Sequence, residues 1–298
     1  MRNGHTASGA VLEILSQDPV WGTYAIADLR PDLARHCCWF VSGDASGLAL
    51  LYFGLEPPIL LTAGEPEGVA AALSAAELPP ELFLSILPSH LPVVQRYYRH
   101  VSPQKMVRMA LPQGKHIPLP AWPARRLSPS DANRLTALYR LGGDYAPDAF
   151  DSNQLDDGFF FGIEDEDGIL ASAGGTHVVY RQASPTLQGS NPGESNGSVS
   201  INRIISQGVA AIGNIYTRPG RRGLGFGKAV TISITRALQK DGFSVIVLNV
   251  DEENLVAKSI YEKLGFKVHC RFFEGKAARV SCLDNWQWQL KKIPKEKA

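Results

Sequence analysis

The run Arg222-Gly-Leu-Gly225-Phe-Gly227-Lys228 follows an apolar segment and opens a helical one. Glycines at such a turn let the main chain approach a ligand closely, and the first amides of a helix have no intrahelical acceptor. The macrodipole adds partial positive charge at the same end, so the turn suits an anion. Arg222 and Lys228 supply two further cations, and Arg can grip phosphate oxygens with two parallel bonds. A pyrophosphate is the guest this chemistry expects. A triphosphate loop would need Ser or Thr after the lysine to hold magnesium, and here Ala229 follows Lys228. A dinucleotide loop would be spaced GxGxxG; this one is GxGxG, although Asp251 lies at about the expected downstream position, so that alternative stays open. A structural turn that binds nothing is the third reading.

The elements that must hold this turn follow from pattern. Val209 to Thr217 reads as a strand, Pro219 to Gly227 as the turn, and the run to Gln239 as a helix. A strand at Ser244 to Val250, a helix at Asn254 to Leu264 and a strand at Lys267 to Phe273 come next, with a last strand near Val280 to Leu290. Upstream, Ser128-Pro-Ser-Asp131 starts a helix running to Leu141, and a short helix is expected at Asp148 to Leu155. Phe159 to Ile163 and Ile169 to Tyr180 flank the charged turn Glu164–Gly168 and predict an antiparallel hairpin. Gln182 to Ser200 is rich in Ser, Gly, Asn and Pro and predicts a loop. Strands alternating with helices favour parallel pairing and the hairpin antiparallel pairing, so the fold class is α/β (α+β) with a mixed sheet.

Two stretches carry a family resemblance. Tyr216-Thr-Arg-Pro219-Gly-Arg-Arg222-Gly-Leu-Gly225-Phe-Gly227-Lys-Ala resembles the [RQ]xxGx[GA] acyl-CoA signature of the GNAT superfamily of N-acetyltransferases, with Arg222, Gly225 and Gly227 on its fixed positions. Asn254-Leu-Val-Ala257-Lys-Ser-Ile-Tyr261-Glu-Lys-Leu-Gly265-Phe266 resembles the second signature, NxxAxxxYxxxGF. The resemblance covers roughly residues 125 to 290 and implies the GNAT fold, a mixed, mostly antiparallel sheet flanked by helices. It implies acetyl-CoA, or another acyl-CoA, as co-substrate and an amine-bearing small molecule or peptide as acceptor. Main-chain groups of Ile215, Tyr216 and Thr217, within Asn214 to Thr217, would pair with the pantetheine arm. The amides of Arg222, Gly223, Leu224, Gly225, Phe226, Gly227 and Lys228 would hold the pyrophosphate. Asn254 and Lys258 join the cofactor side by the same analogy, Asn254 having a helix N-cap as its alternative role. The two strands around the turn diverge in that family, opening a cleft for the thioester.

The implied reaction needs a neutral amine to attack the thioester and an acid to protonate the leaving thiolate. An alkyl ammonium titrates near ~10.4 and a thiol near ~8.5, so both proton movements require help. Tyr261 is the acid candidate by its motif position, with simple packing as the alternative. The base is less evident, because Val209 to Thr217 contains no carboxylate or His. Asp144, Tyr145 and Asp148 in a loop and His177 on the hairpin are the candidates, each with an ordinary structural alternative. A non-catalytic acyl-CoA sensor would keep Arg222, Gly225 and Gly227 but need neither acid nor base.

The N-terminal half lacks a GxGxG turn, yet its elements echo the C-terminal order: Leu48 to Phe53, Ile59 to Thr62, a helix near Val69 to Ala76, Leu82 to Leu87, a helix at Leu91 to Tyr98, and Lys105 to Leu111. It is expected to be a degenerate GNAT-like domain, or another α/β domain, because Glu65 and Glu67 stand where phosphate would sit and would repel it. The expected division is residues 1–112, a proline-rich linker at 113–124, and a catalytic domain at 125–298. The tandem plan resembles glycine N-acyltransferase-like proteins.

Composition bounds the rest. Of 298 residues 44% are hydrophobic, enough for two cores, and 30 Lys plus Arg nearly balance 29 Asp plus Glu, so charge gives no argument for nucleic acid or an anionic membrane. The longest apolar neighbourhood, Gly47 to Gly64, is interrupted by Glu56, Pro57 and Pro58. The N-terminus shows no signal-peptide core, and a cytoplasmic location is expected. Cys37, Cys38, Cys270 and Cys282 form no CxxC pair, so reduced thiols and no metal are expected. Trp21, Trp39 and Trp122 are expected to pack.

Overall fold

The computed structural model describes residues 9–100, 103–143, 146–147, 150–181 and 208–280. In chain order the helices and strands are α1 (Gly9–Gln17), α2 (Thr23–Ala27), α3 (Pro31–Ala34), β1 (Cys37–Val41), β2 (Gly47–Tyr52), β3 (Ile59–Gly64), α4 (Pro66–Ser74), β4 (Glu81–Ile86), α5 (Leu91–Val94), β5 (Tyr98–His100) and β6 (Gln104–Ala110). They continue with β7 (Arg125–Arg126), α6 (Ala132–Tyr139), β8 (Phe161–Glu164), β9 (Leu170–Tyr180), β10 (Val209–Thr217), α7 (Phe226–Lys240), β11 (Val245–Asp251), α8 (Leu255–Leu264) and β12 (Lys267–Arg279). Two compact units result: one is centred on Leu33–Lys105 with the flanks to Ile14 and from Phe272, the other comprises Leu15–Asp32 and Met106–Arg271. The proline-rich segment 113–124 lies inside the second unit.

In the second unit the strand order is β6-β11-β10-β9-β8-β7. Among the described residues β10 and β11 pair in parallel, joined by the crossover helix α7, whereas β6 with β11, β9 with β10, β8 with β9 and β7 with β8 are antiparallel. This is the mixed sheet that the pattern predicts, mostly antiparallel as the family resemblance implies. Ile212, Ile246, Leu248 and Val250 pack with Phe226, Val230, Ile234 and Leu238 of α7, so one face of the sheet is covered by the helix that follows the glycine turn. Leu127, Leu135, Leu138, Tyr139, Phe160 and Tyr216 form a second cluster with α6. Helix α6 begins where Ser128 and Asp131 form a reciprocal capping box. The short helix expected at Asp148 to Leu155 is a single 3-10 turn, Ser152–Leu155.

In the first unit the order β1-β2-β3-β4-β12 contains one parallel pair, β3 with β4, bridged by α4. The sequence β1-β2-β3-α4-β4-α5 therefore repeats β8-β9-β10-α7-β11-α8, as the echo in the sequence suggests. The last strand of each half behaves differently from the sequence reading. Strand β6, expected to close the N-terminal half, pairs with β11 from Val247↔Ala110 to Asp251↔Met106. Strand β12 runs to Arg279, past the expected Phe273, and its end pairs with β4 from Phe273↔Ile86 to Ala278↔Glu81. A strand's own alternation states which face is apolar but not which neighbour it will pair with, so the exchange was invisible in the sequence.

The loop expected at Gln182 to Ser200 and the strand expected near Val280 to Leu290 fall outside the described residues, apart from Val280 itself. Among the described residues no helix is long and apolar enough to cross a membrane. None of them forms a cluster suited to a metal ion, and Cys37, Cys38 and Cys270 take part in no disulfide among the described residues.

Candidate active site

Strands β10 and β11 are paired from Val209↔Val245 to Ile212↔Leu248 and no further, although β10 continues to Thr217 and β11 to Asp251. On its other side β10 remains tied to β9 through Tyr216↔Ala173 and Thr217↔Ser172, with a register shift between Gly213 and Tyr216. Asn214 sits at that irregularity with φ 55°, a left-handed conformation in which Asn is one of the tolerated residues. Its carbonyl accepts from the Tyr139 hydroxyl at 2.9 Å. The main chain of Gly213–Thr217 thus faces the β11 side without a strand partner. Pantetheine amides need that kind of edge.

The turn after β10 is built for close approach. Gly223 has φ 81° and Gly225, the N-cap of α7, has φ 83°. The first helical bond runs from Ala229 N to Gly225 O at 3.0 Å. Among the described residues, the amides of Gly223, Leu224, Gly225, Phe226, Gly227 and Lys228 reach no backbone acceptor, and the last three open a 15-residue helix. A Cβ added at Gly223 would meet nothing within 4 Å, and one at Gly225 would meet only Trp122 Nε1 at 4.0 Å. Backbone conformation, and not crowding, is what selects glycine at both positions. Arg222 is braced by a 3.1 Å bond from its Nε to Thr217 O, while Arg218 and Arg221 both pair with Asp165 of the hairpin turn.

Trp122 was expected only to pack. Its indole lies edge-on to Phe226 with centroids 5.0 Å apart, and its Nε1 donates to Leu224 O at 2.9 Å, so it clamps the middle of the cradle. The neighbouring Ile117 is buried, and its carbonyl accepts from Arg236 of α7 at 2.9 Å. The prolines hid this docking, since they read as a spacer in sequence.

Helix α8 places the second motif. Asn254 is its N-cap, accepting from Ala257 N at 3.1 Å, which leaves its side-chain amide nitrogen to act as a donor. Gly265 closes the helix with φ 98°. Tyr261 is buried, its ring tilted against Phe266 at 6.3 Å, and burial pushes its phenol up to about 12. It therefore keeps its proton throughout the physiological range. Lys258 lies in the first half of the same helix.

Of the base candidates, Asp144, Tyr145 and Asp148 lie outside the described residues. His177 projects from β9 over Gly213, where an added Cβ would come 2.2 Å from Nε2. Its Nε2 is 3.1 Å from Asn214 Oδ1 and its Nδ1 is 3.1 Å from the hydroxyl of Tyr24. Tyr24 belongs to α2, 153 residues away in sequence, and no spacing rule pointed to it.

Residues 131–266 match the family model "Acetyltransferase (GNAT) family". The C-terminal half of the chain belongs to the GNAT acetyltransferases. Over shorter stretches the chain is similar to proteins named mycothiol acetyltransferase: 44% identical over 61 residues to that of Streptomyces avermitilis, covering 20% of each chain. With that of Acidothermus cellulolyticus it is 33% identical over 111 residues, 37% of this chain and 30% of the relative. The chain thus spans between a fifth and a third of the length of these relatives. Among solved structures, a Drosophila protein superposes with TM-score 0.60 at 12% identity, covering 90% of this chain and 89% of that one. A GCN5-related N-acetyltransferase from Kribbella flavida does so with TM-score 0.55 at 15% identity, covering 92% and 97%. At these identities the likeness is one of fold, and it extends over nearly the whole chain.

Proposed function

We propose that the protein is an acyl-CoA-dependent N-acyltransferase that moves an acetyl group from acetyl-CoA to a primary amine by direct attack on the thioester. The observation that carries the proposal is the joining of two features by β10: six amides without a backbone acceptor at the turn into α7, and a strand edge that parts from β11 just upstream. The amides of Gly223 to Lys228, with Arg222, bind pyrophosphate, and the edge of Ile215 to Thr217 pairs with the pantetheine arm. Asn254 supplies a side-chain donor and Lys258 a cation on the same cofactor side. Tyr261, protonated and poorly solvated, donates to the sulfur as the C–S bond breaks. The similarity to mycothiol acetyltransferases supports the acetyl-CoA half of this reading; spanning a fifth of those chains, it assigns no acceptor.

Isothermal calorimetry with acetyl-CoA, CoA and NAD tests the reading. About one acetyl-CoA per chain and no NAD binding is expected, followed by thiol release in the presence of an amine acceptor. NAD binding without acetyl-CoA binding would overturn it in favour of a dinucleotide site.

A further inference from the structure

The general base has no carboxylate on β10, yet a hydrogen-bonded chain crosses the sheet where β10 and β11 part. Its polarity is fixed from both ends. At one end Arg108, buried and only a donor, gives Nε–H to Asn249 Oδ1 at 3.0 Å, so Asn249 Nδ2 is the atom that donates to the Tyr24 hydroxyl at 3.4 Å. At the other end the main-chain carbonyl of His177 only accepts, and it takes Gln154 Nε2–H at 3.2 Å. Gln154 Oε1 therefore accepts from Asn214 Nδ2 at 3.0 Å, and Asn214 Oδ1 accepts from His177 Nε2 at 3.1 Å. Nε2 of His177 thereby carries a proton, and in the neutral ring its Nδ1 is then the acceptor for the Tyr24 hydroxyl proton across 3.1 Å. Arg108 also holds the segment bearing Tyr24, donating to Trp21 O and lying 5.0 Å from the Tyr24 ring centroid.

The position of this chain matters as much as its order. Ile212↔Leu248 is the last β10–β11 pair, and Asn249 is the next residue. Ile246, Leu248 and Val250 face α7, so by strand alternation Asn249 faces the opposite side, where Tyr24 meets it. The Tyr24 hydroxyl thus stands at the mouth of the parted strands, on the face away from the phosphate helix.

We infer that Tyr24 and His177 form a two-step proton relay serving as general base for the acceptor amine, with Tyr24 the catalytic residue and His177 the positioning residue behind it. The inference rests on the acyltransferase reading. The amine displaces the Asn249 amide, the longest contact in the chain. As nitrogen bonds to the thioester carbonyl carbon, its proton passes to Tyr24 Oη while the Tyr24 hydroxyl proton passes to His177 Nδ1. The C–S electron pair leaves on sulfur, which takes a proton from Tyr261. His177 then carries the amine proton and Tyr261 lacks one, and exchange through solvent restores both. Asn214 Oδ1 stabilises the transient imidazolium through Nε2–H.

The test combines Tyr24→Phe and His177→Gln with acetyl-CoA calorimetry, thiol release over a panel of amino sugars, polyamines, amino acids and peptides, and long-range 1H–15N spectra of His177. Both variants should keep acetyl-CoA affinity within about threefold, leave the amine KM nearly unchanged and lose ~10²–10⁴-fold in kcat, the range of general base catalysis. The wild-type spectrum should show the His177 proton on Nε2, and Tyr24→Phe should move the Nδ1 resonance. Turnover within twofold of wild type in both variants, or a proton resident on Nδ1, overturns the relay. Should Tyr24→Phe fail to fold, His177→Gln and the wild-type spectrum decide. Acetyl-CoA binding with no turnover of any amine by the wild type overturns the relay and leaves cofactor binding standing; no acetyl-CoA binding overturns the reading beneath it.

Discussion

Replacing Gly225 by valine isolates the cradle. The position is left-handed, at φ 83° and ψ 8°, and a Cβ there meets nothing closer than 4.0 Å, so the penalty is one of backbone conformation. An L-residue held in that region costs about 1–2 kcal/mol, and a β-branched one lies toward the upper end. A 15-residue helix anchored by Val230, Ile234 and Leu238 survives that loss, but relief by turning φ negative swings the peptide planes on either side of residue 225. The amides of Gly225 and Phe226 then leave the cradle. Two charge-assisted bonds of about 1.5–3 kcal/mol each are lost, so acetyl-CoA should bind about 10²–10⁴-fold more weakly. Gly168→Val is the control, because Gly168 has φ 72° in the hairpin turn with nothing within 4 Å of an added Cβ. It should lose similar stability and no affinity. Calorimetry with acetyl-CoA and thermal melts of both variants make the comparison. An acetyl-CoA Kd for Gly225→Val within threefold of wild type, at a matched loss of Tm, would refute the cradle.

Three further outcomes follow from the same structure. Tyr261→Phe should lower kcat by ~10²-fold or more while leaving acetyl-CoA affinity unchanged, and because the phenol is raised to about 12 the wild-type rate should show no alkaline loss from this group up to about pH 10; an unchanged rate removes Tyr261 from catalysis. Trp122→Phe keeps the edge-on ring but removes the donor to Leu224 O, so acetyl-CoA affinity should fall roughly two- to tenfold, and equal affinity would show that the clamp is idle. Asp131, 6% exposed, accepts from Arg125, Arg134 and Ser128 N, and the Arg125 guanidinium holds its carboxyl well below the ordinary 3.8. Its stabilisation is therefore present in full above that value and lost as pH falls through the lower folded one, so Asp131→Asn should cost about 1–3 kcal/mol in urea denaturation near pH 5 and progressively less as pH is lowered below 3.8; a pH-independent cost would refute the ion-pair account.

Much of the second unit was legible because its signals are local. The turn from Pro219 to Gly227, the cap at Asn254 and the hairpin around Glu164–Gly168 each announce themselves within a few residues. Non-local partnerships were not. Tyr24 reaches His177 across 153 residues, and a tyrosine in a short apolar helix such as Thr23–Ala27 reads as core. Trp122 stood among prolines, whose fixed φ signals an irregular path without saying whether that path is docked. Strand β6 alternates like any strand, and nothing in Gln104–Ala110 says that β11 is its neighbour.

The two halves share an order of elements, and their difference at one turn accounts for a single expected cofactor. Between β10 and α7 lie residues 218–225; between β3 and α4 lies only Glu65. The short connection draws the head of α4 onto the β2 entry, where Glu65 N donates to Ser46 O at 2.8 Å and a Cβ on Gly68 would stand 2.4 Å from Gly47 N. Backbone thus fills the space that the longer turn leaves open in the second unit, and Glu65 and Glu67 add negative charge beside it. Near the end of β3 the Thr62 hydroxyl is 2.9 Å from Nδ1 of the buried His90, while Nε2 of the same ring lies 2.9 Å from Gly64 O. Burial pushes the His90 pKa down, so the ring is held as a neutral internal brace. A neutral His bonded to Thr62 and Gly64 at the end of β3 offers a pyrophosphate neither amide nor cation, so the cofactor site proposed between β10 and α7 has no counterpart between β3 and α4.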